Sequence, residues 1–128
     1  MIKGFGIDIV DIDRIAGMID KYGRVFLDKV YTEAEIAFCG GMARPPVHYA
    51  GRWAIKEAFY KALPPECQHF SSWKSIEAVP GHDSRASAIN VKSAELKAKM
   101  DDCGIASIFF SLSHEKTHCV AAVVLEGR

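Results

Sequence analysis

The stretch that decides the fold is GRWAIKEAFYKAL, residues 51–63, in which charged residues stand among aromatic ones. At about 100° per residue, one broad helical face collects its small and apolar members: Gly51, Ala54, Ile55, Ala58, Phe59 and Ala62. So many small residues on one face allow a helix to pack closely against a sheet. Prolines at 45–46 and 64–65 bracket the stretch, so the sequence predicts one long helix between them.

The flanking segments predict strands and shorter helices. IKGFGIDI, residues 2–9, is rich in glycine and β-branched residues and predicts a strand, and Asp11 is suited to cap the helix that follows. Further β-favouring runs occur at 73–79, 86–91, 105–113 and 118–126. A polar HEKT joins the last two runs, which predicts a terminal hairpin. The whole chain, residues 1–128, predicts one α+β domain in which a small antiparallel sheet packs around the long central helix.

Composition and charge exclude several classes of protein. Hydrophobic residues make up 49% and charged residues 25%, which is typical of a soluble globular chain, and 16 basic residues balance 16 acidic ones. The first 13 residues contain three aspartates and no apolar run of the signal-peptide type, and no segment reaches the ~18 apolar residues of a membrane span. The four cysteines are scattered without a C-x-x-C pair, which favours reduced thiols over a structural zinc site. We therefore expect a cytoplasmic protein that binds neither nucleic acid nor membrane.

The charged stripe on the long helix allows two interpretations. Glu57 precedes Lys61 by four residues, the favourable order for a surface ion pair worth about 0.3–0.5 kcal/mol. Trp53 and Tyr60 on the same polar side instead indicate that this side is covered, and a covered carboxylate needs a cation. Asp8, at the end of the first strand, would then supply a second carboxylate to a hard divalent ion such as magnesium. The residues alone leave both interpretations open.

Three motifs together resemble the holo-acyl-carrier-protein synthases, a family of 4'-phosphopantetheinyl transferases. They are GFGIDIVDIDRI (4–15), YAGRWAIKEAFYKAL (49–63) and SLSHEKTHCVAAVVLE (111–126), and they occur in order over nearly the whole chain. The resemblance implies transfer of the phosphopantetheine arm of coenzyme A to a serine of apo acyl carrier protein, with release of adenosine 3',5'-bisphosphate, in fatty acid biosynthesis. It also implies a homotrimer with active sites between subunits.

The same resemblance implies roles for individual residues. Asp8 and Glu57 match two carboxylates that hold Mg²⁺ against the coenzyme A diphosphate. Glu57 is the implied acceptor of the serine proton, directly or through a bound water, and Lys61 is the implied cation for charge on the phosphates. Arg52, Lys61 and His114 match positions that bind coenzyme A. The implied docking surface for the carrier protein comprises Arg14, Met18, Lys21, Arg24 and Phe26.

Two turns depart from the family pattern. PPECQHF (64–70) stands where a glycine-rich turn is usual, and PGHDSRASA (80–88) replaces the usual G-K/R-P turn. Both turns border the coenzyme pocket in relatives, the second from a neighbouring subunit. The departures leave a second hypothesis open, a weakened relative that only binds coenzyme A or a carrier protein. Lys56, next to Glu57, fits either a site residue or a solvated surface charge.

A third interpretation comes from HEKTH, residues 114–118, which matches the H-E-x-x-H motif of zinc peptidases through His114 and His118. That motif binds zinc only on a helix, where histidines four residues apart point the same way. The runs on either side favour β-structure, so we expect a hairpin turn here rather than a zinc site.

Overall fold

The chain forms three central strands, a separate pair of strands and six helices, in a computed structural model that describes residues 1–81 and 86–128. The strands are β1 Ile2–Asp11, β2 Ile76–Pro80, β3 Ala86–Val91, β4 Ile105–His114 and β5 His118–Gly127. The helices are α1 Ile12–Tyr22, α2 Arg24–Val30, α3 Glu33–Gly40, α4 Pro45–Ala62, α5 Pro65–Gln68 and α6 Ala94–Asp102. A single 3₁₀ turn, Trp73–Ser75, precedes β2.

The central sheet is antiparallel with strand order β1-β5-β4, and β2 pairs with β3 in a second antiparallel sheet. Helix α4 lies across the inner face of the central sheet and contacts both β1 and β5, while α1 and α3 pack on its other sides. The predicted α+β fold, the long helix and the terminal β4–β5 hairpin are therefore confirmed. Because α4 is covered on several sides, the small residues along it allow the neighbouring elements to approach closely.

Two glycines in β1 set the distance between strand and helix. A Cβ atom at Gly4 would overlap the carbonyl oxygen of Ala62, and one at Gly6 would overlap that of Ala58. Because both obstacles are backbone atoms, no side-chain rearrangement could make room. The C-terminal half of α4 therefore lies directly on β1, where Asp8 follows the second glycine on the same face of the strand.

Helix ends follow the predicted signals near the start of the chain. Asp11 caps α1 by accepting a hydrogen bond from the backbone N–H of Asp13 at 2.8 Å. Gly23, with a φ of 56°, ends α1 and lets the chain restart as α2, because this left-handed region strongly favours glycine. Helix α1 packs against α4, and Phe26 of α2 stacks on Trp53 of α4.

The outer face of the central sheet is apolar and exposed. Phe5, Ile7 and Ile9 of β1 point away from α4, and each is more than half exposed. Phe109 of β4 is also more than half exposed and lies across β5 from Phe5, since both pair with Val124. Among the described residues, no helix is both long and apolar enough to cross a membrane.

Candidate active site

Asp8 and Lys61 meet where the end of α4 lies on β1. The Lys61 ammonium donates to Asp8 Oδ1 at 3.0 Å and to the backbone oxygen of Ile7 at 3.2 Å. The Asp8 side chain is 11% exposed and that of Lys61 is 50% exposed. The second oxygen, Asp8 Oδ2, is buried and has no hydrogen-bond partner among the described residues. A buried carboxylate oxygen without a donor is costly, so this corner suits an added cation.

Glu57 lies one turn before Lys61 on α4 and is half-buried. Burial raises the pKa of its carboxyl, and the nearby Asp8 carboxylate raises that pKa further, while Lys61 and Arg14 act in the opposite direction. The predicted pair of carboxylates is therefore brought together. Among the described residues Lys61 forms its ion pair with Asp8, so its interactions are not confined to a surface pair with Glu57.

The donor set of this corner fits magnesium. Mg²⁺ prefers hard oxygen ligands and characteristically takes one or two protein carboxylates together with water and phosphate oxygens. Asp8 and Glu57 offer two carboxylates, and the buried Asp8 Oδ2 is available to bind a cation. The residues therefore fit the group that the sequence predicts, and magnesium binding itself stays a prediction.

A cavity of about 320 Å³ opens beside Glu57. Glu57 and Tyr60 form its wall on α4, and Ser71, Ser72 and Trp73 form the opposite wall. This second wall follows the altered turn at 64–70, which folds as α5 and is held to α4 by the Gln68 amide donating to the Tyr60 carbonyl at 3.0 Å. The other altered turn, 80–88, is centred on residues 82–85, which lie outside the described residues.

An aromatic stack supports Arg14 next to the carboxylates. The Arg14 guanidinium lies over the Trp53 ring, 5.7 Å from its centroid. Trp53 in turn stacks between Trp73, at 4.4 Å between ring centroids, and Phe26, at 6.0 Å. Phe26 is buried, so any contribution of this residue to carrier binding would act through Trp53.

The other predicted docking residues differ in how free they are. Lys21 is exposed, with its ammonium 5.3 Å from the ring centroid of Tyr22, and Met18 is half-buried against the core. Arg24 is exposed but occupied, because its guanidinium donates to Asp28 at 2.7 Å and to Glu33 at 2.9 Å. These hydrogen bonds raise the pKa of Arg24, chiefly through Asp28. Arg14 and Lys21 are therefore the cations best placed to meet an acidic partner.

Lys56 has a role that neither interpretation of the sequence gave it. Its ammonium is buried and lies 2.9 Å from Glu35 Oε1, and it also donates to the backbone oxygens of Trp73 at 2.6 Å and Ile76 at 2.8 Å. Glu35 also accepts the backbone N–H of Thr32, which confirms a capping box, and that of Ala78. Burial lowers the pKa of Lys56, and Glu35 opposes that shift. The pair joins α3, α4 and β2, so the prediction of a solvated charge is wrong.

Arg52 and His114 form part of a second cluster. Arg52 is 2% exposed and lies over the Phe38 ring at 4.9 Å, and its Nε and Nη2 atoms are buried without hydrogen-bond partners among the described residues. Burial, then Arg52, then His114 lower the pKa of His48, which places these three side chains near one another. Arg52 lies five residues before Glu57 on α4, about 7.5 Å along the helix axis and about 140° around it, so the two side chains point to different sides of the helix. Within one chain, this cationic cluster therefore stands apart from the carboxylates.

The H-E-x-x-H stretch spans the β4–β5 turn. His114 ends β4, His118 begins β5, and the Glu115 N–H donates to the His118 carbonyl at 2.9 Å. The predicted hairpin is confirmed, and the helical zinc geometry of peptidases is excluded for these two histidines.

Known proteins resemble this chain along nearly its whole length. A model of the 4'-phosphopantetheinyl transferase superfamily matches residues 4–122. A holo-[acyl-carrier-protein] synthase from Syntrophus aciditrophicus is 38% identical over 127 residues, covering 99% of this chain and 98% of that protein. One from Halothermothrix orenii is 40% identical over 127 residues and covers 98% of each chain.

Solved structures give the same result for the fold. A holo-[acyl-carrier-protein] synthase from Neisseria meningitidis matches with a TM-score of 0.82 and 27% identity, covering 98% of this chain and 99% of that one. A synthase from Bacillus anthracis in complex with coenzyme A (3',5'-ADP) matches with a TM-score of 0.78 and 31% identity, covering 100% and 99%. The chain therefore belongs to the 4'-phosphopantetheinyl transferase superfamily.

Proposed function

We propose that this protein transfers the 4'-phosphopantetheine group of coenzyme A to a serine of an apo acyl carrier protein and releases adenosine 3',5'-bisphosphate. One observation carries the proposal. Asp8 on β1 and Glu57 on α4 meet in a partly buried corner beside Lys61, and one buried oxygen of Asp8 has no partner among the described residues. Such a corner is suited to a polyanionic diphosphate and its counter-ion. Membership of the superfamily supports the reaction, and the coenzyme-bound relative from Bacillus anthracis supports the donor substrate.

Asp8 and Glu57 are the residues that would hold Mg²⁺. When bound, the ion would neutralise the diphosphate and so favour its cleavage, because phosphoryl transfer depends mainly on positioning and charge neutralisation. Asp8 is held in place by Lys61 and by the close approach of β1 to α4 at Gly6, on the same face of the strand. Glu57 is fixed by the rigid central helix.

Glu57 also has the properties of the general base. We assign the serine proton to Glu57, directly or through a bound water; without a bound cation, burial and then Asp8 raise the pKa of its carboxyl. The cavity beside Glu57 gives an incoming serine hydroxyl access to this carboxylate. Lys61 is half-exposed, so its ammonium can remain near Asp8 and still meet a phosphate oxygen on the solvent side. Lys61 then stabilises the negative charge that grows on the departing bisphosphate.

The second cluster supplies a site for another anionic group of coenzyme A. Arg52 has two buried N–H-bearing atoms without partners among the described residues, and such donors need an acceptor. His114 and His48 lie close by and can add donors to the same anion. Because Arg52 and Glu57 point to different sides of α4, we propose that one coenzyme molecule uses the carboxylates of one chain and the cationic cluster of another.

A homotrimer would supply that second chain. The apolar outer face of the central sheet includes Phe5, Ile7, Ile9 and Phe109, each more than half exposed. Antiparallel sheets usually present a polar face to water, and a contiguous apolar face marks an interaction surface. We propose that copies of this chain cover the face in a homotrimer.

We also propose a cytoplasmic location.

The test is direct. The protein is incubated with coenzyme A, Mg²⁺ and an apo acyl carrier protein, and the carrier is then weighed by mass spectrometry. A gain of one phosphopantetheine group on a serine, dependent on the protein and on Mg²⁺, is the expected result. Binding of coenzyme A without any gain in carrier mass would instead support the binding-only relative that the altered turns at 64–70 and 80–88 suggested.

A further inference from the structure

Two cysteines outside the proposed active site lie side by side. Cys67 on α5 and Cys103 at the end of α6 are 36 residues apart in the chain, yet their sulfur atoms are 3.6 Å apart. Both are free thiols in the structure, and neither takes part in the proposed transfer. The contact is also the meeting point of the two helices, which pack against each other here.

We propose that Cys67 and Cys103 are an oxidisable dithiol, which a peroxide converts into a disulfide joining α5 to the end of α6. A disulfide has a sulfur–sulfur length of about 2.05 Å, so closure requires the two sulfurs to approach by roughly 1.5 Å. Side-chain rotation can supply much of such a movement because α5 is only four residues long and Cys103 lies at the C-terminal end of α6.

The exposure of the two thiols determines which of them the oxidant reaches first. Cys103 is half-exposed, whereas Cys67 is fully buried, and burial raises the pKa of Cys67 to about 12. Cys103 therefore meets the oxidant first. Its thiolate attacks one peroxide oxygen and the O–O bond breaks, which gives sulfenic acid and hydroxide; the hydroxide takes up the proton that Cys103 had lost and becomes one water. The Cys67 sulfur then attacks the sulfenic sulfur, the S–O bond breaks as the S–S bond forms, and the Cys67 proton leaves with the hydroxyl group as a second water.

The other two cysteines serve as internal controls. Cys39 is fully buried in the core, and Cys119 is buried with its sulfur near the Val47 carbonyl. No sulfur partner is found for either among the described residues. Under the same treatment both should therefore stay as thiols, and oxidation should be confined to the α5–α6 pair.

The chain is well suited to a mass-spectrometric test, because each cysteine falls on a different tryptic peptide. The reduced full-length protein is treated with hydrogen peroxide and weighed, and the remaining thiols are then alkylated before digestion without reductant. We expect a loss of about 2 Da, reversed by dithiothreitol, and a link between peptides 62–74 and 100–116. Gains of about 16 or 32 Da that fragmentation assigns to Cys103, rather than to Met100 on the same peptide, would overturn the proposal if no link is found.

Variants separate this pair from accidental oxidation. Cys103→Ser replaces a half-exposed side chain, so it should fold and should lose both the 2 Da change and the link. Cys119→Ala should keep both. A Cys103→Ser protein that still loses about 2 Da, or a link that joins peptide 62–74 to any other cysteine peptide, would overturn the proposal. Because no step uses coenzyme A, the result does not depend on whether the proposed transferase activity is correct.

Discussion

Lys61 reaches from the last turn of α4 to Asp8 on β1, with its ammonium 3.0 Å from Oδ1. This contact neutralises one side of the Asp8 carboxylate and leaves the buried Oδ2 without a partner among the described residues. The remaining negative charge raises the pKa of Glu57, after burial of Glu57 itself. One lysine is therefore shared by two carboxylates, and the corner gains stability from any further cation that binds there.

Removing the Glu57 charge should show that the two carboxylates share a single lysine. In metal-free buffer near neutral pH, Glu57→Gln should melt at a higher temperature than the parent protein, because it removes a half-buried charge next to Asp8. Adding Mg²⁺ should raise the melting temperature of the parent and change that of the variant little. Equal stabilisation of both proteins by Mg²⁺ would show that Glu57 is not a ligand.

The difference between these two proteins should depend on pH in a defined direction. A raised pKa means that folded Glu57 holds its proton more tightly than the unfolded chain does. The stability linked to that proton is present below the ordinary glutamate pKa and is lost as pH rises through the higher folded pKa. Without metal, the advantage of Glu57→Gln should therefore be small in acid and grow toward neutrality. An advantage that shrinks over this range would contradict the assigned shift.

The buried ion pair between Lys56 and Glu35 should contribute strongly to the stability of the fold. Lys56→Met would leave the Glu35 carboxylate buried without a cation, and breaking a buried pair in this way costs about 3–5 kcal/mol. Lys97→Met is the matched control, because Lys97 and Asp101 lie 3.5 Å apart with both side chains more than half exposed. Its cost should be about 0.5 kcal/mol or less. Denaturant unfolding of both variants measures the contrast, and similar losses would contradict it.

Gly6 should tolerate no side chain. Gly6→Ala places a methyl group onto the Ala58 carbonyl, so β1 and α4 must separate, at a cost of about 3 kcal/mol or more in the free energy of unfolding. Gly17 is exposed in the middle of α1, and a methyl group added there would meet no atom within 4 Å. Gly17→Ala should therefore stabilise the protein by roughly 0.5–1 kcal/mol. Equal effects of the two changes on denaturant unfolding would contradict the close strand–helix contact.

The sequence predicted the fold well because its strongest signals are local. Periodicity located α4, turn residues located the terminal hairpin, and small residues at 51, 54, 58 and 62 indicated close packing. The burial of Lys56 could not be predicted in the same way. Its partner Glu35 is 21 residues away on another helix, and periodicity assumes that a polar stripe faces water. A central helix covered on several sides breaks that assumption.

The site residues also divide into those that a local sequence signal predicted and those that only the folded chain brings together. Asp8 and Glu57 were predicted because a carboxylate in an apolar strand and one among aromatic residues are conspicuous. The predicted position of Asp8 at a strand end is wrong, because β1 runs on to Asp11. His48 was missed although it lies four residues before Arg52 on α4 and so shares a helical face with it; only the fold brings His114 toward both. The contact between Cys67 and Cys103 is equally non-local, because it depends on how α5 and α6 pack.

Carrier docking should depend more on Arg14 than on Arg24. Arg14→Gln should raise the apparent KM for the carrier protein roughly 3- to 10-fold and leave the KM for coenzyme A unchanged, because this exposed cation steers an acidic partner. Arg24→Gln should have a smaller effect, since Asp28 and Glu33 already occupy its guanidinium. Steady-state kinetics at several salt concentrations measures both variants. Equal changes in the two KM values for Arg14→Gln would place it at the nucleotide site.

Substituting Lys61 tests whether its contact with Asp8 is structural or whether Lys61 also takes part in catalysis. If Lys61 is only a structural partner of Asp8, its half-exposed ammonium contributes little to stability. Lys61→Met would then transfer phosphopantetheine at nearly the parental rate. As the cation for the departing bisphosphate, the same change should slow single-turnover transfer by roughly 10²-fold or more, the scale for losing one preorganised contact in the transition state. The affinity for coenzyme A should fall much less, because the charge that Lys61 meets grows as the bond breaks.

The control for this experiment is Lys61→Arg, which keeps the positive charge. A planar guanidinium donates to Asp8 in a different geometry, so it should rescue the rate only in part. The measurement is single-turnover transfer at saturating coenzyme A and Mg²⁺, with thermal unfolding recorded for each variant to show that the fold is intact. If Lys61→Met is folded and transfers at the parental rate, the residue serves only to hold α4 against β1, and charge on the phosphates must be met by other groups of the site.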